Sequence, residues 1–152
     1  MSMVKLPLTQ SVLEATYDRI AWTLDNFFRI CVSFSGGKDS TVMLHLTAQL
    51  ARARNKKICV LFIDWEAQFS YTITHCEKLR ELYKDIIEDF YWVALPLTTQ
   101  NSLTQFTPEW QCWEPGVKWV RQPPEDAIID PDFFPFYQPG ITFEIFVQKF
   151  AE

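Results

Sequence analysis

Apolar positions near the N-terminus recur at helical spacing, at Leu13, Tyr17, Ile20, Leu24 and Phe27. They predict an amphipathic helix through "SVLEATYDRIAWTLDNFF", opened by a Ser-x-x-Glu capping box at Ser11. The pattern then changes period. "RICVSF" is a short run of β-formers, a glycine turn follows at 36 and 37, and "STVMLHLTAQLARARN" has an apolar first half suited to a helix against a sheet. "KKICVLFIDW" is apolar without alternation, as in a parallel strand covered on both faces. A further helix through "FSYTITHCEKLRELYKDII" carries Ile73, Cys76, Leu79, Tyr83 and Ile86 on one side, and "EDFYWVALPL" reads as a third strand ended by Pro96. The predicted class is α/β with a parallel sheet, its first βαβ unit right-handed.

After Leu97 the character shifts. The segment 98–140 holds most of the prolines and three tryptophans, which predicts an ordered, irregular, aromatic-packed layer rather than long helices or interior strands. Only "TFEIFVQKFAE" regains helical character. The chain thus divides into an α/β core over 1–97 and a proline- and aromatic-rich segment over 98–152. Three strands make a thin sheet for a doubly wound domain, which usually has about five. The expectation is a truncated product or the N-terminal part of a longer ancestor, its other strands lost or supplied by a partner chain.

The length of 152 residues suits one compact unit, and 48% hydrophobic residues supply a core. A net charge of −5 argues against nucleic acid or an anionic membrane as a partner through bulk charge. The basic run "ARARNKK" at 51–57 reads as a helix C-terminus, with Asn55 suited to a left-handed cap. No apolar run reaches the ~18 residues of a membrane span, and the N-terminus lacks a signal-peptide core. A cytoplasmic protein is expected. Cys31, Cys59, Cys76 and Cys112 lack zinc spacing and fit reduced thiols, with Cys112 in the least ordinary setting.

The candidate chemistry lies in "ICVSFSGGKDS". A strand, a glycine turn and a helix start form an anion site, because the first helical N–H groups are unpaired and sit at the positive end of the dipole. Gly36 and Gly37 allow close backbone approach and positive φ. Ser35 and Ser40 add hydroxyls, Lys38 a point charge, and Asp39 a carboxylate able to hold magnesium or its waters. A plain turn with Asp39 or Ser40 as cap explains one or two of these six residues. Spacing excludes the Walker A loop, which needs glycine at Val32 and Ser or Thr at Asp39, and G-x-G-x-x-G fails too.

The stretch Ser35-Gly36-Gly37-Lys38-Asp39-Ser40 resembles the pyrophosphate (PP) loop of the adenine nucleotide α-hydrolase-like superfamily. With "TVMLHL" after it and a second strand ending at "FIDWEAQF", it is similar to the 3′-phosphoadenosine 5′-phosphosulfate (PAPS) reductase family in particular. The resemblance implies a three-layer α/β fold, ATP or PAPS as ligand with Mg²⁺, Lys38 and Asp39 as catalytic groups, and Asp39 as metal ligand. It also implies phosphate contacts from Ser35 to Ser40, with Ile63 and Asp64 bordering base and ribose. A carboxylate at the C-terminal end of a parallel strand does lie where such sheets bind ligands, although it can also simply begin a loop.

Departures from the family's pattern shape the functional readings. No Glu-Cys-Gly motif occurs, and no cysteine cluster that would hold iron and sulfur. The leading expectation is an adenine-nucleotide-binding, PAPS reductase-like protein, with ATP pyrophosphatase or adenylation chemistry in sulfur metabolism. The alternatives are a non-catalytic regulatory or interaction module and thiol-based sulfur transfer through Cys112. Trp110, Trp113 and Trp119, with Lys118 and Arg121, read as core, as a face for a protein partner or homo-oligomer, or as a substrate platform. His45 and His75 read as structural.

Overall fold

The computed structural model describes residues 9–101 and 105–152. Helix α1 spans Val12–Asn26 and begins with the expected reciprocal cap between Ser11 and Glu14. Strand β1 (Cys31–Ser33), helix α2 (Lys38–Ala53), strand β2 (Ile58–Ile63), helix α3 (Ser70–Leu82) and strand β3 (Ile87–Val93) follow in order. All three strands are parallel, in the spatial order β1-β2-β3. Asn55 takes the left-handed position after α2, with φ 52°.

The strands are laid down in one direction, so both right-handed crossovers fall on the same face. Ile20 and Leu24 of α1, Leu44, Ala48 and Ala51 of α2, and Cys76 and Leu79 of α3 therefore share one core with Val32, Val60 and Phe62. The opposite face, with Leu61, Ile63 and Val93, is covered by the C-terminal segment through Trp113, Phe134, Ile141 and Phe146. This explains why β2 is buried at every residue although α1, α2 and α3 all lie on one side.

The C-terminal segment is more regular than its prolines suggest. Strands β4 (Thr98–Gln100) and β5 (Glu109–Gln111) form a short antiparallel ladder, and Pro131–Phe133 forms a 3₁₀ turn. Ile128 bridges Val93 in parallel, and Ile128 N–H donates to the Trp92 carbonyl at 2.8 Å, so the segment returns to the free side of β3. Helix α4 (Phe143–Ala151), capped by Thr142, closes the layer with Phe146 fully buried. Among the described residues no proline lies within an α-helix or a strand of either sheet, and Pro131 opens the 3₁₀ turn, where its missing N–H costs nothing.

No helix among the described residues is long and apolar enough to cross a membrane.

Candidate functional site

The segment between β1 and α2 places all six loop residues together at the C-terminal end of the sheet. Gly36 has φ +74°, and a Cβ built there would lie 2.8 Å from Thr72 Cγ2 and 2.9 Å from Cys76 Sγ of α3. Glycine is required twice over, by conformation and by space. Gly37 is the N-cap of α2, and no side chain caps the helix from it. The N–H groups of the first turn are thus left to an incoming acceptor.

The two serines brace the loop. The Ser40 hydroxyl donates to the Gly37 carbonyl at 3.1 Å and accepts from the Ser35 N–H at 3.2 Å, and the two hydroxyls lie 3.0 Å apart. Lys38 and Asp39 are exposed at the helix start. Asp39 is the acidic residue of the first turn of α2, and its exposed carboxylate is of the hard-oxygen type that would suit Mg²⁺ beside phosphate oxygens and water.

Helix α3 supports the loop from behind. Thr72 and Cys76 touch Gly36, and His75 Nε2 lies 2.9 Å from Thr41 Oγ1 on α2. Burial, followed by the charge of Asp64, pushes the Cys76 thiol up to about 12. The His75–Thr41 contact ties α3 to α2 beside the loop, and the contribution of Thr72 was not visible in the sequence because nothing in its local pattern separates a helix-start threonine from a loop contact.

Asp64 and Ile63 lie at the end of β2, as anticipated, but both are buried. The Asp64 carboxylate accepts from Trp92 Nε1 at 2.8 Å and from Glu66 N–H at 2.9 Å, and pairs with Arg121. Its backbone carbonyl accepts from Trp113 Nε1 at 2.5 Å. The side chain is engaged in joining β2, β3 and the C-terminal segment.

Glu66, not anticipated, completes this clamp. At φ 60° its carboxylate accepts from the Trp113 N–H at 2.6 Å and the Val120 N–H at 2.8 Å. The Arg121 guanidinium lies 5.1 Å from the centre of the Trp113 ring. The spacing Asp64-x-Glu66 was the available signal: two acids just past an apolar strand are either exposed or paired, and here the tryptophans and Arg121 pair them.

The aromatic segment divides by position. Trp113 is core and Trp119 is half-buried against it, with ring centres 5.3 Å apart. Trp110 is exposed beside Trp65 at 6.3 Å. Cys112 is fully buried, its thiol donating toward the Leu95 and Leu97 carbonyls at 3.4 and 3.6 Å. Burial pushes that thiol up to about 12. We expect Cys112 in the native protein at pH 8 to resist a disulfide reagent that reacts fully once denaturant is added, and Cys112→Ser to leave nucleotide binding unchanged; rapid native labelling of Cys112 would contradict its burial.

A second cluster, Cys59, Glu88 and Asp89, lies toward the N-terminal ends of the strands. Arg29 already occupies it, bonded to Asp89 at 2.9 Å and to the Tyr91 hydroxyl at 2.6 Å. A cation is in place, and this group does not extend the loop site.

A parallel α/β sheet with an uncapped glycine turn after its first strand is the arrangement of a nucleotide-binding domain. Residues 29–115 match the phosphoadenosine phosphosulfate reductase domain, more than half of the chain, and the protein belongs to that family. It is 72% identical over all 152 residues to the uncharacterized protein YbdN of Escherichia coli (strain K12), and spans 37% of that protein's length. No solved structure matches the chain.

Proposed function

We propose that the loop Ser35 to Ser40 binds the phosphates of an adenine nucleotide, ATP or PAPS, within an adenine nucleotide α-hydrolase-like fold. The observation that carries this reading is the uncapped N-terminus of α2 behind Gly36, whose positive φ and contact with α3 hold the first-turn N–H groups ready for an anion. Those N–H groups and Lys38 meet the charge on the β- and γ-phosphates of ATP, or on the sulfate end of PAPS. The Ser35 and Ser40 hydroxyls fix the loop and offer further donors. Asp39 would hold Mg²⁺, which when bound shields phosphate charge and favours pyrophosphate as a leaving group. Ile63, at the end of β2, would border the adenosine, while the fully buried Asp64, expected beside the ribose, would only hold that strand end in place through Trp92, Arg121 and Trp113. With ATP as substrate, the reaction class is cleavage between the α- and β-phosphates to activate an acceptor in sulfur metabolism.

Calorimetric titration with ATP, PAPS and the same ligands plus Mg²⁺ tests the reading. Saturable binding is expected, weakened at least about tenfold by the Lys38→Ala, Ser40→Ala double variant, since charged hydrogen bonds contribute about 1.5–3 kcal/mol each. Absence of binding by every adenine nucleotide, or full affinity in the double variant, would overturn it.

A second reading, a non-catalytic module that keeps the nucleotide site, is favoured by the burial of Cys112, which removes the one thiol after the α/β core from any direct role. The exposed Trp110 would then be an anchor for a protein partner. Pyrophosphate release from ATP in the presence of an acceptor separates the two readings.

A further inference from the structure

Cys31 of β1 and Cys59 of β2 are direct partners in the parallel ladder. Neighbouring strands lie about 4.8 Å apart, and Cα atoms at that separation fall inside the range of about 4.4–6.8 Å that a disulfide spans. Residues in register point their side chains to the same face of a sheet, and both cysteines line one cleft of about 510 Å³, beside Leu61, Tyr91 and Phe150. Among the described residues Cys31 is exposed, whereas Cys59 is only 1% exposed.

A fixed cation stands against the inner sulfur. Arg29 Nε donates to Cys59 Sγ at 3.4 Å, and the same guanidinium donates to Asp89 at 2.9 Å and to the Tyr91 hydroxyl at 2.6 Å. The Cys59 thiol in turn donates toward Asp89 Oδ2 at 3.7 Å. This sulfur thus has an acceptor for its proton and a positive charge beside the electrons the proton leaves behind. Burial, followed by the nearby Cys59, pushes the Cys31 thiol up to about 12, while Arg29 acts against that rise. The two sulfurs are therefore unequal: Cys59 is placed to attack, and Cys31 to close a bond once the charge on Cys59 is gone and only Arg29 acts on it. Cys76 and Cys112 are fully buried in the two cores, and neither lines this cleft.

We propose that Cys31 and Cys59 form a peroxide-reactive thiol pair, in which Cys59 is oxidised first and Cys31 closes a disulfide between β1 and β2. Hydrogen peroxide is the oxidant that fits, since a reagent little larger than water suits a residue only 1% exposed better than a bulky disulfide does. The Cys59 sulfur attacks one peroxide oxygen, the O–O bond breaks, and the departing hydroxide takes up the thiol proton as water, leaving a sulfenic acid. The Cys31 sulfur then attacks the Cys59 sulfur. The S–O bond breaks, and hydroxide again leaves as water with the Cys31 proton. Two thiols are oxidised to one disulfide, and one hydrogen peroxide is reduced to two waters. The new bond closes a covalent ring that contains the loop Ser35 to Ser40 and all of α2. The proposal stands whether or not the loop binds nucleotide.

The test is exposure of the reduced chain to a small excess of hydrogen peroxide at neutral pH, read by intact mass and non-reducing peptide mapping. Loss of two hydrogens, a cross-linked peptide joining Cys31 to Cys59, and a fall from four thiols to two after unfolding are expected, all reversed by dithiothreitol. Cys31→Ser should halt the reaction at a sulfenic acid on Cys59, trapped as a dimedone adduct. Arg29→Gln, at a side chain 58% exposed, should keep its circular dichroism spectrum and slow the reaction by roughly tenfold, the effect of one hydrogen bond to a charge. Oxidation of Cys76 or Cys112 ahead of this pair, dimers joined through Cys31 in place of the internal bond, a Cys59 that stays reduced, or an unchanged rate in folded Arg29→Gln would each overturn the proposal.

Discussion

Gly36→Ala should abolish measurable nucleotide binding and lower the melting temperature by roughly 4–8 °C, the shift expected for about 2 kcal/mol in a domain of this size. Two costs combine. A non-glycine residue at φ +74° is strained, and its methyl group would press on Thr72 Cγ2 and Cys76 Sγ, neither of which can withdraw without moving α3. Relief of the clash would tilt the start of α2 and scatter the N–H groups on which anion binding depends. Gly37→Ala is the control. Its φ is −79°, and the nearest atom to a built Cβ is Ser35 Oγ at 3.4 Å, so the fold should keep its melting temperature while the methyl hinders close phosphate approach. Thermal unfolding with ATP titration on both variants checks the pair. Equal stability of Gly36→Ala and the native protein would show that the loop is not held against α3.

The loop and the sheet were legible because both rest on short-range physics. The capping box at Ser11 needs only four residues, and the glycine turn carries its conformational demand in its composition. The continuous apolar run of β2 announced coverage on both faces, and it is covered. What the run could not say was what covers it. Helices α1, α2 and α3 lie on one side and the aromatic segment with α4 on the other, because the strand order never reverses among the described residues.

The β4–β5 ladder escaped notice for a related reason. Strands of three residues carry too little alternation to be read, and the two that pair are not adjacent in sequence. Trp113 and Trp110 illustrate the same limit. They are three residues apart and alike in side chain, yet one is core and the other exposed, and it is Trp113 alone that Asp64 and Glu66 engage from nearly fifty positions away.

Asp64 is where sequence position and structural role diverge most, and its replacement should have the largest effect on stability. In Asp64→Leu, Arg121 loses its ion-pair partner in a side chain only 21% exposed, and Trp92 Nε1 and the Glu66 N–H lose their acceptor. Breaking a buried pair from one side costs about 3–5 kcal/mol, which a domain of ordinary stability barely survives. Chemical denaturation should show that loss, and the C-terminal segment should become the most protease-sensitive part of the chain. Asp64→Leu with Arg121→Met removes both charges and should recover part of the loss, because the guanidinium no longer lacks a counter-ion. Asp64→Asn keeps the shape and one acceptor oxygen, so it should fold with a smaller penalty. It also separates the two roles open to this position. Fully buried, with its carboxylate engaged by Trp92, Glu66 and Arg121 and its carbonyl by Trp113, Asp64 should influence nucleotide only by holding the end of β2 in place, and the affinity of folded Asp64→Asn for ATP should stay within roughly threefold of native, below the ~1.4 kcal/mol of a tenfold change. A selective loss of affinity in this variant, with the fold intact, would instead place the carboxylate on the ribose.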